Sequence, residues 1–205
     1  MGRIGTALFS LLAVGICGAL TLPQPAQAQE AQTAELACIN QTGERMPPAT
    51  RRSPLDSVSF KIADKPVKVC YGRPSARGRM IMGGLVPYGQ LWRTGANEPT
   101  MIHTSVALTV AGLRVPPGIY SLYTVPDEEE WQVIVNRSTS QWGQEGRYTE
   151  EVEAQELGRA TVPATETKGP VETFTIRAEP RQEGNFVLIL EWERTRVVIP
   201  ISAAK

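Results

Sequence analysis

The sequence predicts an all-β fold, an antiparallel β-sandwich or jelly-roll-like single domain carrying one long ordered loop rich in Gly, Pro and Arg. Three observations predict it. Short segments alternate apolar and polar residues with the period of two that lays one strand face on a core. Turn residues punctuate them at regular spacing, with 18 glycines and 16 prolines in 205 residues. One stretch has a helical cast, and it lacks a strong apolar stripe.

In chain order, the first segment reads MGRIGTALFSLLAVGICGALTLPQPAQAQ. Arg3 is a positive leader residue, residues 7–20 form an apolar run broken by Ser10, Gly15 and Gly18, and Ala26-Gln27-Ala28 is a small-x-small cleavage site. These are the marks of a secretory signal peptide over 1–28. The alternative, a retained anchor, has an apolar run marginal for the ~20 residues a bilayer needs. The expected location is periplasmic or extracellular, with no membrane span after cleavage. Cleavage removes one base (Arg3) and no acid, so 21 Lys and Arg become 20 against 21 Asp and Glu, a net charge of −1. That balance argues against nucleic acid as the main partner.

Residues 29–54 are polar, with Pro47, Pro48 and Pro54, and read as a flexible arm ahead of a domain over 55–205. Cys17 leaves with the leader. Cys38 and Cys70 remain, an even pair in an exported chain, and are expected to form a disulfide. A metal site or a catalytic thiol is the alternative, and a metal would need more ligands than two Cys and one His.

Residues 58–62 and 66–71 alternate as strands around an Asp64-Lys65 turn. A long loop follows, with a short strand expected at 80–82. Strand character resumes over 100–110. Val115-Pro116-Pro117-Gly118 suits a type II turn with Pro117 and Gly118 at its centre. Residues 119–125 and 131–136 form a hairpin, with Trp131, Val133 and Val135 on one face. Residues 147–157 are the one candidate helix. Strands are then expected over 159–164, 171–178, 185–192 and 196–202. Phe186, Leu188, Leu190 and Trp192 share a face, and Pro200 favours an edge.

Chemistry concentrates in the loop, YGRPSARGRMIMGGLVPYGQLWRTGANEPTMIH over 71–103. Arg73, Arg79 and Arg93 present planar forks that grip carboxylate, phosphate or sulfate. Tyr88 and Trp92 can stack on a ring, Asn97 both donates and accepts, and Glu98 can orient an arginine. The alternative is scaffold. Residues 71–98 carry four arginines and one acid, a net +3, and residues 127–156 carry nine acids and two arginines, a net −7. These segments could pair within the molecule or across a dimer. Catalysis has less to draw on. His103 is the sole histidine and sits in an apparent strand, no G-x-S-x-G elbow is present, and Glu98 is the single acid of the stretch.

The blocks YGRPSARGRMIMGGLVPYGQLWRTGANEPT, PPGIYSLYTVP, EWQVIVNRSTSQWG and PVETFTI resemble those of the DUF2911 family, exported bacterial proteins of uncharacterised function. The resemblance covers about 53–201. It implies an exported β-rich domain and carries no activity with it. His103 and Cys38 fall outside the matching blocks.

The functional expectation is a non-enzymatic exported domain that binds a small polar or anionic ligand, a glycan or an envelope partner. Its ligand-binding residues would be Arg73, Arg79, Tyr88, Trp92, Arg93, Asn97 and Glu98, with no metal and no cofactor. The alternatives are a carboxylate-based hydrolase using Glu98 and a structural or assembly protein of the envelope, including a homodimer.

Overall fold

The computed structural model describes residues 1–2, 36–39 and 51–205. The expected signal peptide over 1–28 and most of the arm expected over 29–54 lie outside the described residues. The chain divides into two units, Met1–Gln32 and Thr33–Lys205. The architecture is that of the second.

Among the described residues nine strands form one antiparallel sheet: β1 (Leu55–Ile62), β2 (Lys65–Gly72), β3 (Thr100–Thr104), β4 (Leu108–Val110), β5 (Leu113–Val115), β6 (Gly118–Pro126), β7 (Glu130–Asn136), β8 (Glu156–Pro180) and β9 (Phe186–Ala203). Their order is β1-β2-β3-β6-β7-β8-β9-β4-β5. The expected all-β antiparallel class holds. The hydrogen bonding is that of one continuous sheet, which does not itself specify the finer sandwich or jelly-roll description.

The alternation of apolar residues explains how this sheet encloses a core. Val67, Val69 and Tyr71 of β2, Val133 and Val135 of β7, and Leu188 and Leu190 of β9 are all buried in one cluster. Each such side chain contributes about 1.5–3 kcal/mol on burial. The β1–β2 end of the sheet folds over onto β8 and β9 across that cluster. Phe60 of β1 lies 4.7 Å from Phe186 of β9 between ring centroids. The Tyr71 hydroxyl accepts from the Ile176 amide of β8 at 3.0 Å.

Four local expectations are corrected. The helix expected over 147–157 shrinks to a single turn, α1 (Glu150–Glu153), because Val152 is its one buried residue and three acids fill the rest. The strand expected over 100–110 divides into β3 and β4, which lie in different parts of the sheet. The four strands expected from 159 onward merge into two long ones. β8 runs 25 residues by changing partner, pairing with β7 through Pro163 and with β9 from Ala164, with irregularities between Glu166 and Thr175. Gly118 lies at φ 154°, beyond the roughly +80° of a type II turn.

Candidate functional site

Residues 73–99 connect β2 to β3, and backbone bonds to the sheet hold them. Ser75 bridges Thr173 of β8, flanked by Ala76 N–H donating to Glu172 O at 2.7 Å and Phe174 N–H to Pro74 O at 2.8 Å. Trp92 exchanges both backbone bonds with Thr124 of β6, at 2.7 and 2.9 Å. The short strand expected at 80–82 is instead a turn closed by a Met82–Val86 bridge. Arg77, Thr94 and Asn97 take left-handed φ values of 53°, 55° and 68°. Such residues hold this conformation only when their surroundings impose it.

Several of the expected ligand-binding groups meet protein. Arg73 donates from Nε to Phe174 O at 3.2 Å and from Nη2 to Thr175 Oγ1 at 3.0 Å, and its Nη1 lies 3.5 Å from Asp56. It clamps β8 to β2. Asn97 donates to Ser53 O at 3.1 Å. Glu98 accepts at both oxygens from Arg51, each at 2.8 Å, and the Arg51 guanidinium lies 5.6 Å from the Trp142 ring. Glu98 thus orients an arginine, and the arginine comes from the segment expected as arm. Trp92 is 6% exposed. Its indole N–H donates to Gly95 O at 3.2 Å, and its ring packs on Trp131, Phe174 and Trp192. The face expected to stack on a ligand belongs to the core. Tyr88 is exposed, with its phenol pushed upward by burial and by Glu128, Glu193 and Asp127.

Two adjoining cavities open beside this loop. One encloses about 230 Å³, floored by Trp92 and Trp192, with Arg79, Arg93, Asn97 and Glu145 around it and Leu85 on one wall. The other encloses about 310 Å³ between Arg52, Ser53, Ser75, Arg77 and Arg79. They share Ser53 and Arg79. Arg79 uses Nε and Nη2 on the carbonyls of Ala76 and Ser75, each at 2.9 Å, which aims its fork. Arg77 donates from Nη2 to Arg52 O at 3.0 Å, and its amide donates to the Glu172 carboxylate at 2.8 Å. Among the described residues no carboxylate forms an ion pair with the guanidinium of Arg52, Arg77 or Arg79. Arg93 donates to Asn97 O at 3.2 Å and meets Glu145 at 3.7 Å, where the glutamate side chain is 52% exposed. So open a pair contributes at most about 1 kcal/mol, and an incoming anion can displace it.

The structure therefore brings Arg79, Trp92, Arg93 and Asn97 to one cavity. It places Arg73, Tyr88 and Glu98 elsewhere. The segment expected as the end of the arm supplies Arg52 and Ser53, and β9 supplies Trp192. The one sequence signal for the former is the Arg51-Arg52-Ser53 run just ahead of β1. Glu98 borders neither cavity. His103 is buried with its Nε2 unpartnered, far from the arrangement a triad needs. Cys38 and Cys70 form the expected disulfide, with Cα atoms 5.8 Å apart. Among the described residues no group of three His, Cys, Asp or Glu could hold a metal ion.

A family model described as a protein of unknown function, DUF2911, matches residues 53–201. No curated protein and no solved structure matches the chain.

Proposed function

The chain belongs to the DUF2911 family, and from that premise we propose that it is an exported, non-enzymatic binding domain for a small anionic ligand. The ligand sits across the adjoining cavities, with its charge at Arg52, Arg77 and Arg79 and its body over the Trp92–Trp192 floor. One observation carries the reading: three guanidinium groups line one cavity without an ion-paired carboxylate among the described residues. Arginine forks of this kind bind carboxylate, phosphate or sulfate through paired charge-assisted hydrogen bonds. Arg93 and Asn97 supply a second polar contact beyond Arg79. The disulfide supports passage through an oxidising compartment.

Isothermal titration of the purified, oxidised protein with inorganic phosphate, citrate and a uronate disaccharide tests this. At least one probe should bind, more weakly as salt is added. Arg52→Gln, whose guanidinium makes no hydrogen bond among the described residues, should weaken that binding about tenfold, or roughly 1.4 kcal/mol, with no change in melting temperature. Arg77→Gln combined with Arg79→Gln should abolish it. Silence from all three probes, or binding that survives the double variant, overturns the proposal.

A further inference from the structure

Among the described residues, apart from the N-terminal Met1 and from Trp142, which lies against Arg51, the exposed large apolar side chains are Met80 (64%), Leu85 (48%) and Tyr88 (37%). All three belong to one turn of the loop. Leu85 N–H donates to Met80 O at 3.1 Å and Gly83 N–H to Val86 O at 2.9 Å. The Tyr88 ring closes over Gly83, where a Cβ would lie 2.9 Å from it. The three side chains therefore share one small patch.

The patch has a basic side and an acidic side. Arg79 precedes Met80 and lines the same cavity as Leu85. Arg77 stands beside Arg79 at the neighbouring cavity. At the other end, Gly89 N–H donates to Pro126 O at 2.9 Å and sets Tyr88 against the turn that carries Asp127 and Glu128. Glu193 joins that side, accepting from the amides of Ile81 and Met82 at 3.2 and 3.3 Å. Asp127 and Glu128 are exposed, and neither is ion-paired among the described residues. The order across the surface is basic, apolar, acidic.

We infer that this surface is a twofold interface with a second copy of this chain. A patch positive at one end, apolar in the middle and negative at the other is its own complement under a twofold rotation. That rotation lays Arg77 and Arg79 on the partner copy's acidic turn and sets the two Met80–Leu85–Tyr88 patches face to face. A nucleic acid or an acidic lipid surface would be drawn to one end and repelled by the other. Three apolar side chains per copy make a small interface, of the class of weak, transient associations. The inference goes beyond anion binding and shares Arg77, Arg79 and Leu85 with those cavities, so the partner copy's acidic turn and a bound anion compete for the two arginines.

Sedimentation velocity of the purified protein from about 1 to 200 µM tests it. The expected mass rises from monomer to dimer with concentration, and the dimer weakens with salt. Leu85→Asp, whose native side chain makes no hydrogen bond, should leave a folded monomer. Arg77→Glu with Arg79→Glu should do the same, as should Asp127→Lys with Glu128→Lys. An equimolar mixture of those two reversed proteins should form a heterodimer, because each presents the other's complement. A wild-type protein that stays monomeric at every concentration overturns the inference. So does a dimer that survives Leu85→Asp, or a mixture of folded reversed proteins that stays monomeric.

Discussion

His103 is 2% exposed and sits directly across from Lys68 in the β2–β3 register. Burial, and then the positive charge of Lys68, lowers its pKa from 6.5 to about 4. The imidazole is therefore neutral in the folded protein and charges more readily once the chain unfolds. Between about pH 6.5 and 4 the unfolded state binds the extra proton, so stability falls as the pH falls through this window. The group contributes at most about 3 kcal/mol above pH 6.5, and that is lost by pH 4. Urea unfolding of the wild type and His103→Leu from pH 7 to 4 checks it. The wild type should lose more stability than the variant over that range, and parallel curves would sink the assignment. The same residue shows why a sole histidine in a strand is a poor base: it is buried away from any substrate, and burial opposes its taking up a proton.

The loop and the segment after β7 hold each other through one glycine. A Cβ on Gly143 would lie 2.6 Å from Asn97 O and 2.7 Å from Arg93 Cδ. Asn97 O is also the acceptor for Arg93, so the approach of residue 143 helps position the guanidinium in the cavity. Gly143→Ala must push one of these apart, and overpacking of this kind costs about 1–3 kcal/mol. Denaturant unfolding should register that loss, and titration with the anion that binds the wild type should show weaker binding. Unchanged stability together with unchanged affinity would mean that the two elements move freely past each other. The lone turn of α1 teaches a complementary lesson. With one apolar side chain to bury, the segment is tied down by polar contacts: Tyr148 donates to Glu156 at 2.6 Å, and Arg159 pairs with Glu153 and Glu156.

Across the whole molecule, the Cys38–Cys70 bond joins residues 32 apart and anchors the segment ahead of the domain to β2. Cys70 is fully buried, beside Met101. Closing that loop restricts the unfolded chain, and removing such a bond costs about 2–5 kcal/mol. The double variant Cys38→Ser, Cys70→Ser should unfold at a clearly lower urea concentration than the oxidised protein. It should match the wild type kept in dithiothreitol. Equal midpoints for oxidised and reduced protein would show that the bond adds no stability.

The all-β class, the β1–β2 and β6–β7 hairpins, the core face of β9 and the cysteine pair were legible in the sequence by itself. Each rests on information local to a strand or on a parity argument: period-two burial, turn residues, an even cysteine count. Membership of the DUF2911 family was legible too, because long blocks carry it. Tertiary structure alone decided which arginines are scaffold and which border a cavity. Arg73 and Arg79 look alike in sequence, six residues apart in one loop. Arg73 meets Phe174, Thr175 and Asp56, and among the described residues Arg79 donates to the carbonyls of its own turn. The difference lies in partners on distant strands, and so does the burial of Trp92 under Trp131, Phe174 and Trp192. A side chain's role follows from what the folded chain places within hydrogen-bonding or van der Waals reach, and composition along the chain does not encode that distance.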